Sequence, residues 1–464
     1  MNRQSASAQV SWRAARAAAA VFAFLALATQ PAAAQEVTFA RDVAPILYEN
    51  CVECHREGSF APMSLLTYDE ARRFAPMIRH RVAERMMPPW HVDQTVGVQR
   101  FANDASLTDE EIRTIVAWVD QGAPRGDQAD LPPPPRLPEG GAWQLEQILG
   151  RAPDVIVRST PYSVEAQGQD QWWNPDTEWQ PLDEARWMMA YEFKPAYPNG
   201  LKVVHHGHTN VVFAGAGGDR PDVGEGGTVA VAHYGVGKAY EVFPDGVGMR
   251  LPAGEGRVAW DIHYSALHVE QSVPGDVVEV GLWLYPKDQD PPEIATEGEV
   301  LFRVDRINGH DRPLSRGNDI LIPPHGYQVI QGVHVLDEPA LISSFRPHMH
   351  TRGKEMSMEA IYPDGRREVL GKVDNYKHIW QLSYAFEEDA KPLLPKGTVL
   401  LFTSVFDNTA DNPLNPDPNQ WVVFGRRGPD EMSHMWVGIT YLTEEQYEEI
   451  RRRRELIPVA QAGR

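Results

Sequence analysis

The stretch LKVVHHGHTNVVFA, residues 201–214, carries Val203, Val204, Val211, Val212 and Phe213 around three histidines. β-branched and aromatic residues at this density, ending in a glycine-rich run from 214 to 227, predict a β-strand followed by a loop. The same texture returns in VVEVGLWLYP (277–286), TVLLFTSVF (398–406) and MWVGITYL (435–442), between Gly, Pro and Asp turns. Short strands with frequent turns point to all-β sandwiches. IPPHGYQVIQG, from residue 322, reads as the start of a second sandwich.

Histidines concentrate on these strands: His205, His206 and His208 in the opening stretch, His263 in WDIHY, and His348 and His350 in FRPHMHTRG. Neutral imidazole suits copper, zinc, iron and nickel. Strand positions i and i+2 share a face, so His348 and His350 can grip one ion without backbone distortion. By the same rule His206 pairs with His208. The adjacent His205 and His206 share an ion only where the strand bends. Lone histidines such as His310 and His378 read as surface or hydrogen-bonded residues.

The first third of the chain has a different character. Arg3, Arg13 and Arg16, an apolar run from Ala17 to Thr29 and Ala32-Ala33-Ala34 read as a signal peptide over residues 1–34, cleaved before Gln35. This places the mature protein in a periplasm or outside the cell, with no membrane-embedded segment. An exported chain normally spends cysteine on disulfides, yet this one has only Cys51 and Cys54, in CVECH. C-x-x-C-H is the c-type haem attachment pattern, two thioether positions followed by His55 as axial ligand. A zinc site needs further thiolates that the chain lacks. Phe39, Val43, Ile46 and Leu47 predict one amphipathic helix before the motif, and Thr108 with Glu111 a capping box opening another after it. Residues 36–126 resemble a small class I cytochrome c. Its sixth ligand is expected from Met63, Met77, Met86 or Met87. Met87, which precedes a proline, is taken first and Met86 second, and His/Met ligation suits electron transfer.

DLPPPPRLPEGG (130–141) is a proline-rich spacer. The expected organisation is a cytochrome c domain at 35–128, a linker at 129–145, a β-sandwich at 146–318, a second at 319–445 and a charged tail at 446–464. The predicted fold class is therefore multidomain: a small all-α cytochrome c domain followed by two all-β, jelly-roll-like sandwich domains. Net charge is −20, from 64 acidic against 44 basic residues, which argues against nucleic acid and anionic membrane surfaces as partners.

Taken in order, VHHGH, DIHY, HMHTRG and PDEMSHMW resemble the motifs of the copper type II, ascorbate-dependent monooxygenases, the family of peptidylglycine α-hydroxylating and dopamine β-monooxygenases. The resemblance covers roughly residues 145–445. It implies two copper ions, one on His205, His206 and His263 and one on His348, His350 and Met432. The second of these is the oxygen-binding, catalytic position. It further implies two β-sandwiches facing across a cleft, and hydroxylation of a small organic substrate with O2. Arg346 stands where amidating members hold a substrate carboxylate, and Trp436 replaces their tyrosine. Asp261 replaces their glutamine, and their disulfides are absent. Electrons are expected through the single haem c, from an ascorbate-like or periplasmic redox donor. The alternatives are a non-catalytic electron-transfer or copper-handling protein, and a copper oxidoreductase that inserts no oxygen. His208 stays open as a replacement ligand for one of its neighbours.

Overall fold

The structure is a computed structural model. It describes residues 36–456 except 58–60, 62, 136–141, 169, 214–227, 236–238, 244–246, 267–268, 288–293, 304–319 and 381. The expected signal peptide lies outside the described residues.

The expected fold class does not form. The protein is mostly β, 38% strand against 18% helix, and no small all-α cytochrome c domain stands at its N-terminus. Helices do occur there: Ala44–Asn50, Tyr68–Arg73, Ala75–Ala83 and Asp109–Asp120. The last opens with the capping box expected at Thr108, whose hydroxyl accepts from the Glu111 amide while the Glu111 carboxylate accepts from the Thr108 amide. They share an apolar cluster around Phe39, Leu47, Ile115 and Trp118. The chain between the third and fourth helices, however, leaves that cluster. Val92 bridges Val373, Phe101 bridges Phe386, and both are buried in the core of the C-terminal β-layers. Trp90 and Phe101 meet Tyr384 with ring centroids 4.8 and 6.0 Å apart. A segment that places its largest apolar side chains in another element's core has not closed as a domain of its own.

The β-regions are also joined rather than separate. One ten-stranded sheet runs through both. Eight strands follow one path, Val155–Arg158, Val278–Leu284, Arg186–Pro195, Val247–Leu251, Ile294–Arg303, His434–Tyr441, Ala340–His348 and Tyr384–Ala385, while Tyr240–Val242 and Leu393–Leu394 pair off it with Arg186–Pro195 and Ala340–His348. The seam is a short parallel pairing, Ile294 with Val247 and Ala295 with Gly248. A five-stranded sheet containing Gly256–Tyr264, Val204–Phe213 and Thr228–Gly235 belongs to the N-terminal half. Its core includes Phe193, Val211, Trp260 and Leu282. A four-stranded sheet, Tyr327–Val335, Val399–Asp407, Gly353–Ile361 and Arg367–Val373, belongs to the C-terminal half, with Phe345, Met358, Phe402 and Val437 in its core. The buried faces follow the period-2 pattern, as along Val204–Phe213, where buried and partly buried residues alternate. Among the described residues no helix is long and apolar enough to cross a membrane.

Candidate metal centre

The Val204–Phe213 and Gly256–Tyr264 strands pair residue for residue from Gly256 to His263, with His263 opposite His206. The next pair is Tyr264 with Val204, so His205 is an extra residue on its strand. That bulge turns His205 toward the same side as its neighbour, which a regular strand forbids. Three ring nitrogens converge as a result. His263 Nδ1 is 2.9 Å from His206 Nε2 and 3.4 Å from His205 Nδ1. The three side chains each offer a ligand atom within 4.8 Å of the others, the one such trio among the described residues. Two nitrogens bound at about 2.05 Å to one tetrahedral ion lie about 3.3 Å apart, so this trio fits a metal with little adjustment. Burial, and then the neighbouring imidazoles, hold His205 and His206 well below the ordinary histidine range. The rings are therefore neutral, the state in which imidazole donates a lone pair.

The second group is built by two loops. The Ala340–His348 strand ends at His348, which pairs with His434 across the sheet, and His350 follows in the turn. The rings of His348 and His350 are 5.3 Å apart, centroid to centroid. The His350 and Arg352 amides donate to the two carboxyl oxygens of Glu431, at 2.8 and 2.6 Å. Arg352, itself buried, donates to Pro429 O at 2.7 Å. Glu431 thus ties the histidine turn to the turn that carries Met432. Its complete burial pushes the carboxyl up to about 8. His350 Nδ1 lies 3.0 Å from Asp430 O, which leaves Nε2 as the donor atom.

Both groups border one cavity of about 450 Å3, lined by His206, His263, His348, His350 and Met432 among others. Trp172, Phe424 and Trp436 give it aromatic walls. Arg346 is buried with its guanidinium 4.7 Å from the Trp436 ring centre and is not part of the lining. The guanidinium that reaches the cavity belongs to Arg426, which donates to both Asp261 oxygens at 2.7 and 2.8 Å. His208 stacks on Trp436 at 5.2 Å and stands 6.1 Å from the His206 ring.

Three further histidines join the cluster. His378 lies 5.7 Å from the His205 ring and 5.3 Å from that of His350, with its Nδ1 3.2 Å from Met349 O. It sits in DNYKHIW, where no periodicity marks it. His233 pairs with His208 across strands and lies 2.8 Å from the Tyr191 hydroxyl. His434 opens its strand and is 5.9 Å from the His348 ring.

The CVECH turn follows the Ala44–Asn50 helix. The Cys54 and His55 amides both donate to Cys51 O, so the two thiols lie one turn apart. Burial pushes both thiols up to about 12. His55 Nδ1 is 3.2 Å from Met63 O, the second contact a metal-bound histidine normally makes through its other nitrogen. Burial pushes the Tyr234 phenol up, with a smaller push from Cys54. Met77 and Met86 are exposed, the latter accepting from Arg81 at 3.4 Å, whereas Met63 and Met87 are half-buried.

No family model and no curated protein matches the chain. Among solved structures it is similar to one described as the STIV MCP, with a TM-score of 0.25 and 9% identity over 64% of this chain and 98% of that one. It is also similar to the PBSX exported protein XepA, at 0.15 and 9% over 54% and 86%. A two-domain protein from Bacteroides fragilis follows at 0.14 and 11% over 63% and 98%. Likeness at these scores carries no argument about fold or function.

Proposed function

We propose that this is an exported, copper-dependent monooxygenase acting on a small organic molecule, with electrons entering through a haem c on Cys51, Cys54 and His55. The observation that carries the reading is convergence. His206 and His263, which converge with His205, and the set His348, His350 and Met432 come from distant parts of the sequence to line one cavity. An imidazole trio suits either oxidation state of copper, and a thioether favours Cu(I). Copper so bound supplies electron storage and oxygen activation. The overall reaction is R–H + O2 + 2 e− + 2 H+ → R–OH + H2O, both electrons coming from an external donor.

The chain's own residues do the rest. Glu431 holds His350 and Met432 in one frame through two backbone amides. Trp172, Phe424 and Trp436 keep the cavity apolar and favour an apolar or aromatic substrate. Arg426, already engaged by Asp261, supplies a cation at the cavity wall. The test is copper and haem content of the purified exported protein, followed by incorporation of 18O from labelled O2 into product under a reducing donor. Two coppers and one haem with 18O in the product support the proposal. Copper and haem present with no oxygen uptake beyond autoxidation would instead favour the electron-transfer or copper-handling alternative.

A further inference from the structure

The short strand Gln171–Trp173 lies against the His263 strand, with Trp172 opposite His263. The Trp172 ring covers the His263 imidazole at 4.4 Å and 2°. Asp170, just before this strand, places Oδ1 3.3 Å from His263 Nε2, and the two side chains are 18% and 4% exposed. Nε2 is buried and has no well-aligned hydrogen bond, so the carboxylate is its near polar neighbour without being a settled partner. The other ring nitrogen, Nδ1, faces His206 and His205. The second group is backed differently: His350 rests on the neutral backbone carbonyl of Asp430.

We infer that Asp170 is a positioning residue for the trio of His205, His206 and His263. It holds His263 as the Nε2–H tautomer, so that the Nδ1 lone pair points at the metal position. A carboxylate behind an imidazole makes it a stronger donor and favours the higher oxidation state of the bound metal. A backbone carbonyl does this less, and the Met432 thioether favours the lower state. Asp170 therefore sets the trio's potential below that of the His348–His350–Met432 position. This difference in potential rests on the copper reading above; the tautomer does not.

Two measurements on the full-length protein separate these parts. The first is a long-range 15N–1H correlation on metal-free protein labelled in histidine, with His263 assigned by its loss in His263→Gln. His263 is expected as Nε2–H in the wild type and as a tautomer mixture in Asp170→Ala. A wild-type Nδ1–H signal, or no change in Asp170→Ala, overturns the assignment. The second is the copper potential in a His348→Ala background, where the trio alone is loaded. Loss of such a partner changes metal affinity about 10- to 100-fold. With that change falling on the oxidised metal, Asp170→Asn, which keeps an acceptor but removes the charge, is expected to raise the potential by about 60–120 mV, at about 59 mV per tenfold. Asp170→Glu is expected to restore part of the shift. An unchanged potential overturns the electronic role. If copper fails to bind the trio at all, the copper reading falls, and the tautomer measurement still decides what Asp170 does.

Discussion

The imidazoles of His206 and His348 stand 5.5 Å apart, ring centre to ring centre, although they belong to opposite halves of the molecule. His378 closes a second contact between the halves, touching His205 on one side and His350 on the other. The two histidine groups are therefore one contiguous cluster rather than two sites facing across open solvent.

That contiguity makes the metal count diagnostic. His348→Ala removes one ligand from the second group and leaves His205, His206 and His263 in place. Metal analysis is expected to fall from two coppers to one per chain, and Met432→Ala to weaken the same copper. Metal bound only by the folded state also stabilises it, by about 2.7 kcal/mol at a hundredfold excess over Kd. A chelator should therefore lower the melting temperature of the wild type more than that of His348→Ala. Equal chelator effects in both proteins contradict a second site.

Much of this centre was legible beforehand, for reasons that differ by residue. His348 and His350 were read as an i, i+2 strand pair, but the strand ends at His348 and His350 is held in the following turn by Glu431 and Asp430 O, while the order of the motifs pointed to Met432. His205 was harder, because its turn toward His206 depends on a bulge set where Tyr264 pairs with Val204 and skips His205, a non-local register. His378 was read as an ordinary histidine because a loop residue has no period, and only tertiary packing places it between the groups. The fold failed at one identifiable place. The helical pattern before and after CVECH was real, yet Val92 and Phe101 are spent on the β-core, and no local pattern announces which core an apolar residue will join. The continuous sheet was equally invisible, since a parallel seam of two residue pairs leaves no sequence signature.

Asp276 offers a test of stability away from the metal ligands. It is 1% exposed, accepts from the Tyr264 hydroxyl at 3.1 Å, and burial pushes it up to about 6 from an ordinary 3.8. The sign follows from which state binds the proton more tightly. Below about pH 4 both folded and unfolded chains carry it, and the group costs nothing. As pH rises toward 6 the unfolded chain ionises first, so folding loses about 3 kcal/mol, at 1.36 kcal/mol per pKa unit. Above pH 6 the loss is complete and constant. Asp276→Asn should lack this decline. Denaturant melts of both proteins at pH 4, 5, 6 and 7 read it as a difference that grows across that window and then levels. A constant difference refutes the assignment.

Arg426 and Asp261 join the halves at the cavity wall, but their side chains are 51% and 41% exposed. Exposed pairs of this kind are worth about 0–1 kcal/mol. Arg426→Ala should therefore leave global stability within about 1 kcal/mol of wild type. Its effect belongs to access: copper removal by a bulky chelator should speed up, because the cavity wall has lost its cross-link. Unchanged removal kinetics would show that the pair does not restrict entry.

Phe101 tests the correction to the fold. Its ring stacks on Phe386 at 5.4 Å and meets Phe345 and Tyr384 at 6.3 and 6.0 Å, inside the core of the C-terminal β-layers. Truncating a buried phenylalanine costs about 3–5 kcal/mol. If residues 36–126 closed as an independent helical domain, Phe101→Ala would weaken that domain alone and leave the β-layers at their wild-type midpoint. Because the side chain belongs to the β-core, the loss should appear in the transition of the β-layers. Hydrogen exchange at the amides of Ala340–His348 and Val399–Asp407, followed through a denaturant melt of both proteins, reports on those layers. A midpoint shift of the size given by about 3–5 kcal/mol in that signal is expected. No shift there would return the helices to a domain of their own.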